Sequence, residues 1–316
     1  MLCMDSVAVD RFEASRGRLA SLAYRLLGSA ADAEDAVQDA FLRWQAADRD
    51  RIEVPEAWLT RVVTNLCLDQ LRSARARHEQ PVGDLLPEPL LQGDPMLGPA
   101  DTFEQRESVS LAVLTVMQRL TPVERAAYVL REAFSYRHAE IAGMLDISEA
   151  ASQQHVHRAR RRVAAEHRGG GAETDPAAAR RVVEEFLSAA ASGRVDQLVA
   201  MLTDDAAMVS DGAGLAKRLL RFTGREQIAT AARAGFRPTP AKIRLAGGAP
   251  VLHIAQVNGA PAVVAVVNGR VRGVVVLELR DGKVARLCGI AAADRLARID
   301  AAWQRLDVVP PVAAAW

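Results

Sequence analysis

Residues 138–163 read HAEIAGMLDISEAASQQHVHRARRRV. HAEIAGML predicts a short helix and DIS a tight turn. Ser148 is suited to cap a second helix, because its hydroxyl can accept one of the orphan N–H groups at a helix start. In that second helix Ser152, Val156, Ala159 and Val163 recur at helical spacing and predict an inward face. Gln153, Gln154, His155 and His157 are left near the N-terminal half of the outer surface, where a helix entering the major groove meets base edges. Arg158, Arg160, Arg161 and Arg162 follow, where phosphates lie. The whole is a helix-turn-helix pattern. The competing reading of the second helix is a basic amphipathic helix with a structural role. Two histidines without further ligand residues do not make a metal site.

Working outward, LTPVERAAYVLREAF (120–134) opens with Thr121, Pro122 and Glu124, a capping box with proline at the first helical position. In DAEDAVQDAFLRW (32–44), Ala33, Val37, Ala40, Phe41 and Trp44 share one helical face and Asp32, Asp35 and Asp39 another. An acidic stripe of this kind is either a solvated face or a docking face for a basic partner. In VPEAWLTRVVTNLCLDQLRSARARH (54–78), Leu59, Val62, Val63, Leu66 and Leu71 mark the core side, and Arg61, Asn65, Asp69, Arg72 and Arg75 form a polar stripe. Asn and Arg are residues that read bases and phosphates, though singly each is more often an ordinary surface residue.

EQPVGDLLPEPLLQGDPMLGPAD (79–101) separates the two helical blocks and is too rich in Pro and Gly for one helix or strand. RGGGAETDP (168–176) reads as a flexible linker. Beyond it, two helical stretches lead into apolar runs, VLHIAQ, AVVAVV and GVVVLEL, punctuated by VNG (257–259), VNG (267–269) and RDG (280–282). Asn-Gly and Asp-Gly are strong hairpin signals, so the segment predicts helices followed by an antiparallel meander, an α+β pattern.

The chain has 316 residues with a net charge of +1, unevenly spread. Up to Arg168 there are 21 Arg and no Lys against 25 acidic residues, a net charge of −4, and the remainder is net +5. A free DNA-binding domain is ordinarily basic. If the first part binds DNA, its general attraction to phosphate is weak and another component must deliver it. Cys3, Cys67 and Cys288 form no CxxC pair, which gives neither a disulfide frame nor a zinc site. The sequence holds no apolar run near the ~20 residues of a membrane span and no leader pattern at its start. A cytoplasmic protein without membrane association is the default expectation.

These motifs resemble those of bacterial RNA polymerase sigma factors of the extracytoplasmic-function type. SLAYRLLGSAADAEDAVQDAFLRW is similar to their regions 2.1–2.2, EAWLTRVVTNLCLDQLRSARAR to regions 2.3–2.4, and residues 120–163 to region 4. The resemblance implies a helical region 2 bundle over 10–78, a Pro-rich linker over 79–105, a region 4 helix-turn-helix over 106–168 and a flexible linker over 169–176. It implies docking on core RNA polymerase, at the β′ clamp helices and the β subunit, through Asp35, Gln38, Asp39 and Phe41. Promoter DNA would be read at −10 by Asn65, Asp69, Arg72 and Arg75. At −35 the readers would be Gln153, Gln154, His155, His157, Arg158 and Arg161.

The segment 177–300 resembles a SnoaL-like domain of the NTF2-like superfamily, a cone with a pocket between sheet and helices, followed by a tail at 301–316. In sigma factors carrying this extension the domain regulates in cis. Three of their motifs can be sought. An aromatic followed by LPEP appears as LLPEP, with Leu85 in place of the aromatic. DGGGK appears as DGAGLAK, with Ala213 for Gly and the lysine displaced to Lys217. NPDK appears as AADR (292–295), keeping Asp294. The regulatory contacts implied are Leu85, Leu86, Pro87, Glu88, Pro89, Asp211 and Asp294. A small molecule in the C-terminal pocket is a further expected partner, with no cofactor, no metal and no catalytic residue. Two other readings are a one-component helix-turn-helix regulator with a ligand-binding domain and a bifunctional SnoaL-like enzyme. The first leaves the acidic helix and the Arg61–Arg75 stripe unexplained. The second needs an acid/base pair, and the C-terminal segment has His253 as its sole histidine and no tyrosine.

Overall fold

The computed structural model describes residues 6–76, 86–98, 108–166, 175–212, 218–237, 239–306 and 310–313. The chain divides into two compact units. One comprises Met1–Gly83, Gly93–Val109 and Val113–Glu166, the other Asp84–Gln92, Ser110–Ala112 and His167–Trp316.

The regular elements among the described residues of the first unit are helices. Its leading helices are α1 (Ser6–Leu27), α2 (Ala30–Ala46) and α3 (Pro55–Ala76). Gly28 ends α1 in the left-handed region, and Ser29 caps α2 by accepting the Asp32 N–H at 3.2 Å. The predicted apolar positions Ala33, Val37, Ala40 and Trp44 are buried, and the Trp44 indole N–H donates to the Ala8 carbonyl at 2.9 Å. Phe41 is half-buried against Phe12, with ring centroids 4.9 Å apart.

The later helices are α4 (Leu111–Met117), which belongs to this unit from Val113 onward, α5 (Pro122–Glu132), α6 (His138–Leu145) and α7 (Glu149–Glu166). The Thr121–Glu124 capping box forms as the sequence predicts. Within this unit, α5 packs on α1, α3 and α7. Buried arginines fasten the packing. Arg125 donates from Nη1 to the Leu26 carbonyl at 2.6 Å and from Nε to the Met117 carbonyl at 2.8 Å. Arg25 donates to Ser108 Oγ and to the Leu97 carbonyl, each at 3.0 Å, and also to Ser21. Burial lowers the Arg25 pKa to about 10. Gly98 completes this site, because a Cβ there would lie 2.5 Å from Ser21 Oγ and its φ of +69° suits glycine. On the same unit the Tyr136 hydroxyl lies 3.1 Å from both Arg18 Nη2 and Thr60 Oγ1.

The second unit begins its continuous part with α8 (Pro176–Ser192) and α9 (Val195–Met201), then β1 (Leu202–Ser210), β2 (Leu220–Thr223), α10 (Arg225–Phe236) and α11 (Pro240–Ala246). A meander follows, β3 (Val251–Val257), β4 (Ala260–Val267), β5 (Arg270–Arg280) and β6 (Lys283–Ile290), then α12 (Ala293–Trp303) and β7 (Pro311–Ala313). The sheet order is β2-β1-β6-β5-β4-β3-β7. The predicted turns close all three hairpins, with Asn258, Asn268 and Asp281 at positive φ.

The sheet is mixed, because β1 pairs with β6 in parallel. A helical stretch intervenes between β2 and the meander, and the segment beyond residue 300 adds the end of α12 and an edge strand on β3. The element order is otherwise the one the SnoaL-like resemblance implies. Val183, Phe186, Leu198, Ile228, Leu277 and Leu287 join helices to sheet in one core.

Candidate functional site

The helix-turn-helix is built as its sequence dictates. Asp146 ends α6 in the left-handed region at φ +55°, and Ser148 Oγ accepts the Ala151 N–H at 3.1 Å to start α7. Ser152, Val156, Ala159 and Val163 are buried, and Ser152 Oγ meets His138 Nδ1 at 3.1 Å. Gln153, Gln154 and His157 are exposed, as are Arg158, Arg160, Arg161 and Arg162. His155 is half-buried, and its ring lies 2.9 Å from Arg158 Nη2. Burial, followed by the Arg158 charge, lowers its pKa and favours the neutral ring.

Several of the arginines are already engaged. Arg158 Nε is 3.0 Å and Arg162 Nη1 3.7 Å from the buried Glu124 carboxylate, and Arg160 pairs with Glu132 at 2.8 Å. Burial raises the Glu124 pKa, but hydrogen bonds from Thr121 and the charges of Arg162 and Arg158 outweigh it and hold the carboxyl below its usual range. Phosphate must therefore compete with Glu124 for Arg158.

On α3, Leu59, Val63 and Leu66 are buried, Asn65 is half-buried, and Asp69 and Arg72 are exposed and 3.6 Å apart. The side chain of Arg75 lies outside the described residues. On α2, Asp35, Gln38 and Asp39 are exposed, and Leu42, which sequence reasoning did not single out, is 56% exposed beside them.

The Pro-rich segment packs within the second unit. Leu86, Glu88, Leu90 and Leu91 are buried, as are Pro87 and Pro89. Leu85, Ala213 and Lys217 lie outside the described residues. Leu91 forms an antiparallel bridge with Val257 at the end of β3. The Gln92 N–H donates to the Gln256 carbonyl at 3.0 Å, and the Asn258 N–H to the Leu90 carbonyl at 2.9 Å. The Asn258 side chain, 1% exposed, accepts the Leu90 N–H at 2.8 Å. Arg295 Nη1 lies 4.0 Å from Glu88 Oε1. The Asp211 carboxylate accepts the Ala291 and Ala292 N–H groups at 2.8–3.1 Å and so fixes the start of α12. Asp294 is 77% exposed in the first turn of that helix.

Residues 11–77 match the family model for sigma-70 region 2, and residues 110–163 that for sigma-70 region 4. Over 213 residues the chain is 39% identical to the ECF RNA polymerase sigma factor SigJ of Mycobacterium tuberculosis, covering 67% of this chain and 68% of the relative. It is 31% identical over 280 residues to the probable ECF sigma factor SigI of the same organism, covering 87% and 90%. The chain belongs to the ECF RNA polymerase sigma factors. The crystal structure of M. tuberculosis SigJ superposes with a TM-score of 0.69 at 33% identity, over 92% of this chain and 98% of that one. Its coverage brings the C-terminal α+β unit of this sigma factor into the likeness as well.

Asn258 and Arg295 are the residues that sequence reasoning did not assign to the segment. Asn258 stands in a dipeptide that hairpin geometry alone explains, and Arg295 is the last residue of the AADR stretch. The signal available in the sequence was on the other side, in Leu86, Leu90 and Leu91, apolar residues in a Pro-rich stretch that water would not favour. Cys67 and Cys288 are buried, and burial pushes both thiols well above their usual range. No described helix is long and apolar enough to cross a membrane.

Proposed function

We propose that this sigma factor docks on core RNA polymerase through Asp35, Gln38, Asp39 and Phe41 of α2, opens the −10 element with the Asn65, Asp69, Arg72 and Arg75 stripe of α3, and reads the −35 element with Gln153, Gln154, His155 and His157, while Arg158 and Arg161 hold phosphate. The observation that carries this reading is the recognition helix, whose buried Ser152–Val163 stripe leaves the Gln153, Gln154 and His157 side chains in solvent. Neutral Gln and His offer donors and acceptors to base edges, and the arginines one and two turns on suit backbone contacts. Partners are core polymerase, at the β′ clamp helices and the β subunit, and promoter DNA, in the cytoplasm.

The second unit is the regulator in this reading. Docking of residues 86–92 on β3 shortens the free connection between the region 2 and region 4 blocks. Those blocks are themselves packed together by Arg125 and Tyr136. Both sets of contacts must be released for the blocks to span two promoter elements. The second unit acts by binding rather than turnover. His253 packs edge-on against Trp303, ring centroids 5.2 Å apart, and the Asp211 carboxylate is occupied by backbone N–H groups. Purified transcription with core polymerase on a randomised promoter library tests the whole reading. Initiation at a defined pair of elements only when the protein is added is expected; initiation unaffected by it would overturn the proposal.

A further inference from the structure

The second unit holds a cavity of about 930 Å³, toward the upper end of the ~300–1,000 Å³ of small-molecule sites. Its wall is mostly apolar, with Phe236, Leu252, Val263, Val275, Leu287 and Leu296 among the lining residues. Of the charged residues on the wall, Lys242, Arg270 and Asp300 are engaged by the protein. Lys242 Nζ donates to the carbonyls of Gly235 and Arg237, each at 3.0 Å, and to that of Ala234. Asp300 accepts the Val271 N–H at 2.8 Å and pairs with Arg270 at 2.9 Å. Arg272 is exposed to solvent. Along the apolar wall an ionised ligand would have to break the Lys242 or Arg270–Asp300 contacts or lose its own hydration without return, and at the exposed Arg272 it would compete with water. An uncharged apolar one gains from the wall directly.

One helix connects this cavity to the docked segment. Ala293, Leu296, Ala297 and Asp300 of α12 form a stripe along the cavity wall. Arg295, off that stripe, faces Glu88, and both side chains are largely buried, at 16% and 10% exposure. Arg295 Nε is buried with no hydrogen-bond partner; two carboxylates lie beside the guanidinium, that of the exposed Asp294 at 3.8 Å and that of the largely buried Glu88 at 4.0 Å, and Glu88 is the one that shares its burial.

We propose that the cavity binds an uncharged, predominantly apolar small molecule and that α12 makes this binding favour the docked state of residues 86–92. The inference rests on the reading of the docked segment as the regulated element. A filled cavity supports the Ala293–Asp300 stripe of α12 and so holds Arg295 against Glu88. With the cavity empty, α12 has fewer contacts on that side and the pair is held less firmly. The ligand shifts the equilibrium by its differential affinity for the two states.

The test uses the full-length protein, with Nile red as the neutral probe and 1-anilinonaphthalene-8-sulfonate as its anionic counterpart. Saturable Nile red binding is expected, with the sulfonate weaker. Ala265→Phe should weaken Nile red roughly tenfold or more. Ala297→Phe, at an exposed wall position, provides the same block should the first variant melt early by circular dichroism. Hydrogen exchange of the peptide spanning Leu90–Gln92 should slow roughly threefold or more with saturating Nile red. In Arg295→Ala that slowing should vanish while Nile red binds as before. Equal Nile red binding by a folded cavity-filled variant, or preference for the sulfonate, overturns the ligand class. Dye binding with unchanged exchange overturns the coupling. A wild-type peptide that is unprotected even without dye would instead remove the docked-segment reading on which the inference rests.

Discussion

Asn258→Gly isolates the side-chain clamp on the Pro-rich segment. Asn258 sits at φ +50° and Gly259 at +77°, the paired left-handed geometry of a two-residue hairpin turn. Glycine adopts that geometry freely, so the variant keeps the β3–β4 hairpin. It removes the oxygen that accepts the Leu90 N–H at 2.8 Å. A buried donor left without its acceptor costs about 1–3 kcal/mol. Since about 1.4 kcal/mol is tenfold, the undocked population of residues 86–92 should rise roughly 5- to 150-fold. Asn258→Ala is a poorer probe, because a Cβ in the left-handed region adds about 1–2 kcal/mol to the turn itself. Hydrogen exchange at Gln92 reports docking, because its N–H donates to Gln256 at 3.0 Å and not to Asn258. Asn268→Gly is the matched control. Asn268 occupies the same turn position at φ +50° between β4 and β5, but its side chain donates to the Gly247 carbonyl at 3.2 Å. Faster exchange at Gln92 in Asn258→Gly, with no change in Asn268→Gly, is expected. Equal exchange at Gln92 in wild type and Asn258→Gly would refute the clamp.

Further expectations concern the first unit. Arg125→Ala leaves the Leu26 and Met117 carbonyls without their charged donor and should destabilise that unit by at least about 1.5–3 kcal/mol, visible as a lower thermal midpoint. Asp35→Lys with Asp39→Lys reverses charge on an exposed face; core-polymerase affinity should drop in a pull-down titration while the melting curve stays in place. Gln153→Ala should change base preference at one −35 position by about 1–3 kcal/mol in a promoter-library selection, whereas Arg161→Ala should weaken all promoters alike and flatten the salt dependence. Glu124 has a carboxyl pKa lowered by folding, so its contribution is present above the usual carboxylate range and is lost as pH falls through the folded value. Thermal melts from pH 7 down to about pH 3 should show a shallower acid limb for Glu124→Gln than for wild type.

The helix-turn-helix was legible because every device that builds it is local: the Thr121 box, the Ser148 cap and the spacing of Ser152, Val156, Ala159 and Val163. The meander was legible for the same reason, since Asn-Gly and Asp-Gly specify a turn without reference to the rest of the chain. The parallel pairing of β1 with β6 and the addition of β7 to β3 join distant residues, and no short window of sequence encodes them. The clamp shows the same limit at one residue. Asn258 announces a hairpin, yet its amide oxygen is used 168 positions away, at Leu90. Acidic and basic stripes on α2 and α7 were visible as periodic charge, but the diversion of Arg158 and Arg162 to Glu124 depends on how α5 crosses α7.

The outer side of β3 is shared between two short segments. β7 pairs with Leu252 and His253 at one end, and Leu91 and Gln92 with Val257 and Gln256 at the other. The Pro-rich segment thus shields a sheet margin as well as tethering the region 2 and region 4 blocks. When it departs, the Asn258 N–H and the Gln256 carbonyl face outward unpaired, next to the apolar Val257. Bare strand margins recruit other strands, including those of a second molecule. Freeing the connection between the DNA-reading blocks therefore carries a colloidal hazard, and a form of the protein locked open should self-associate in solution unless polymerase or another chain covers that margin.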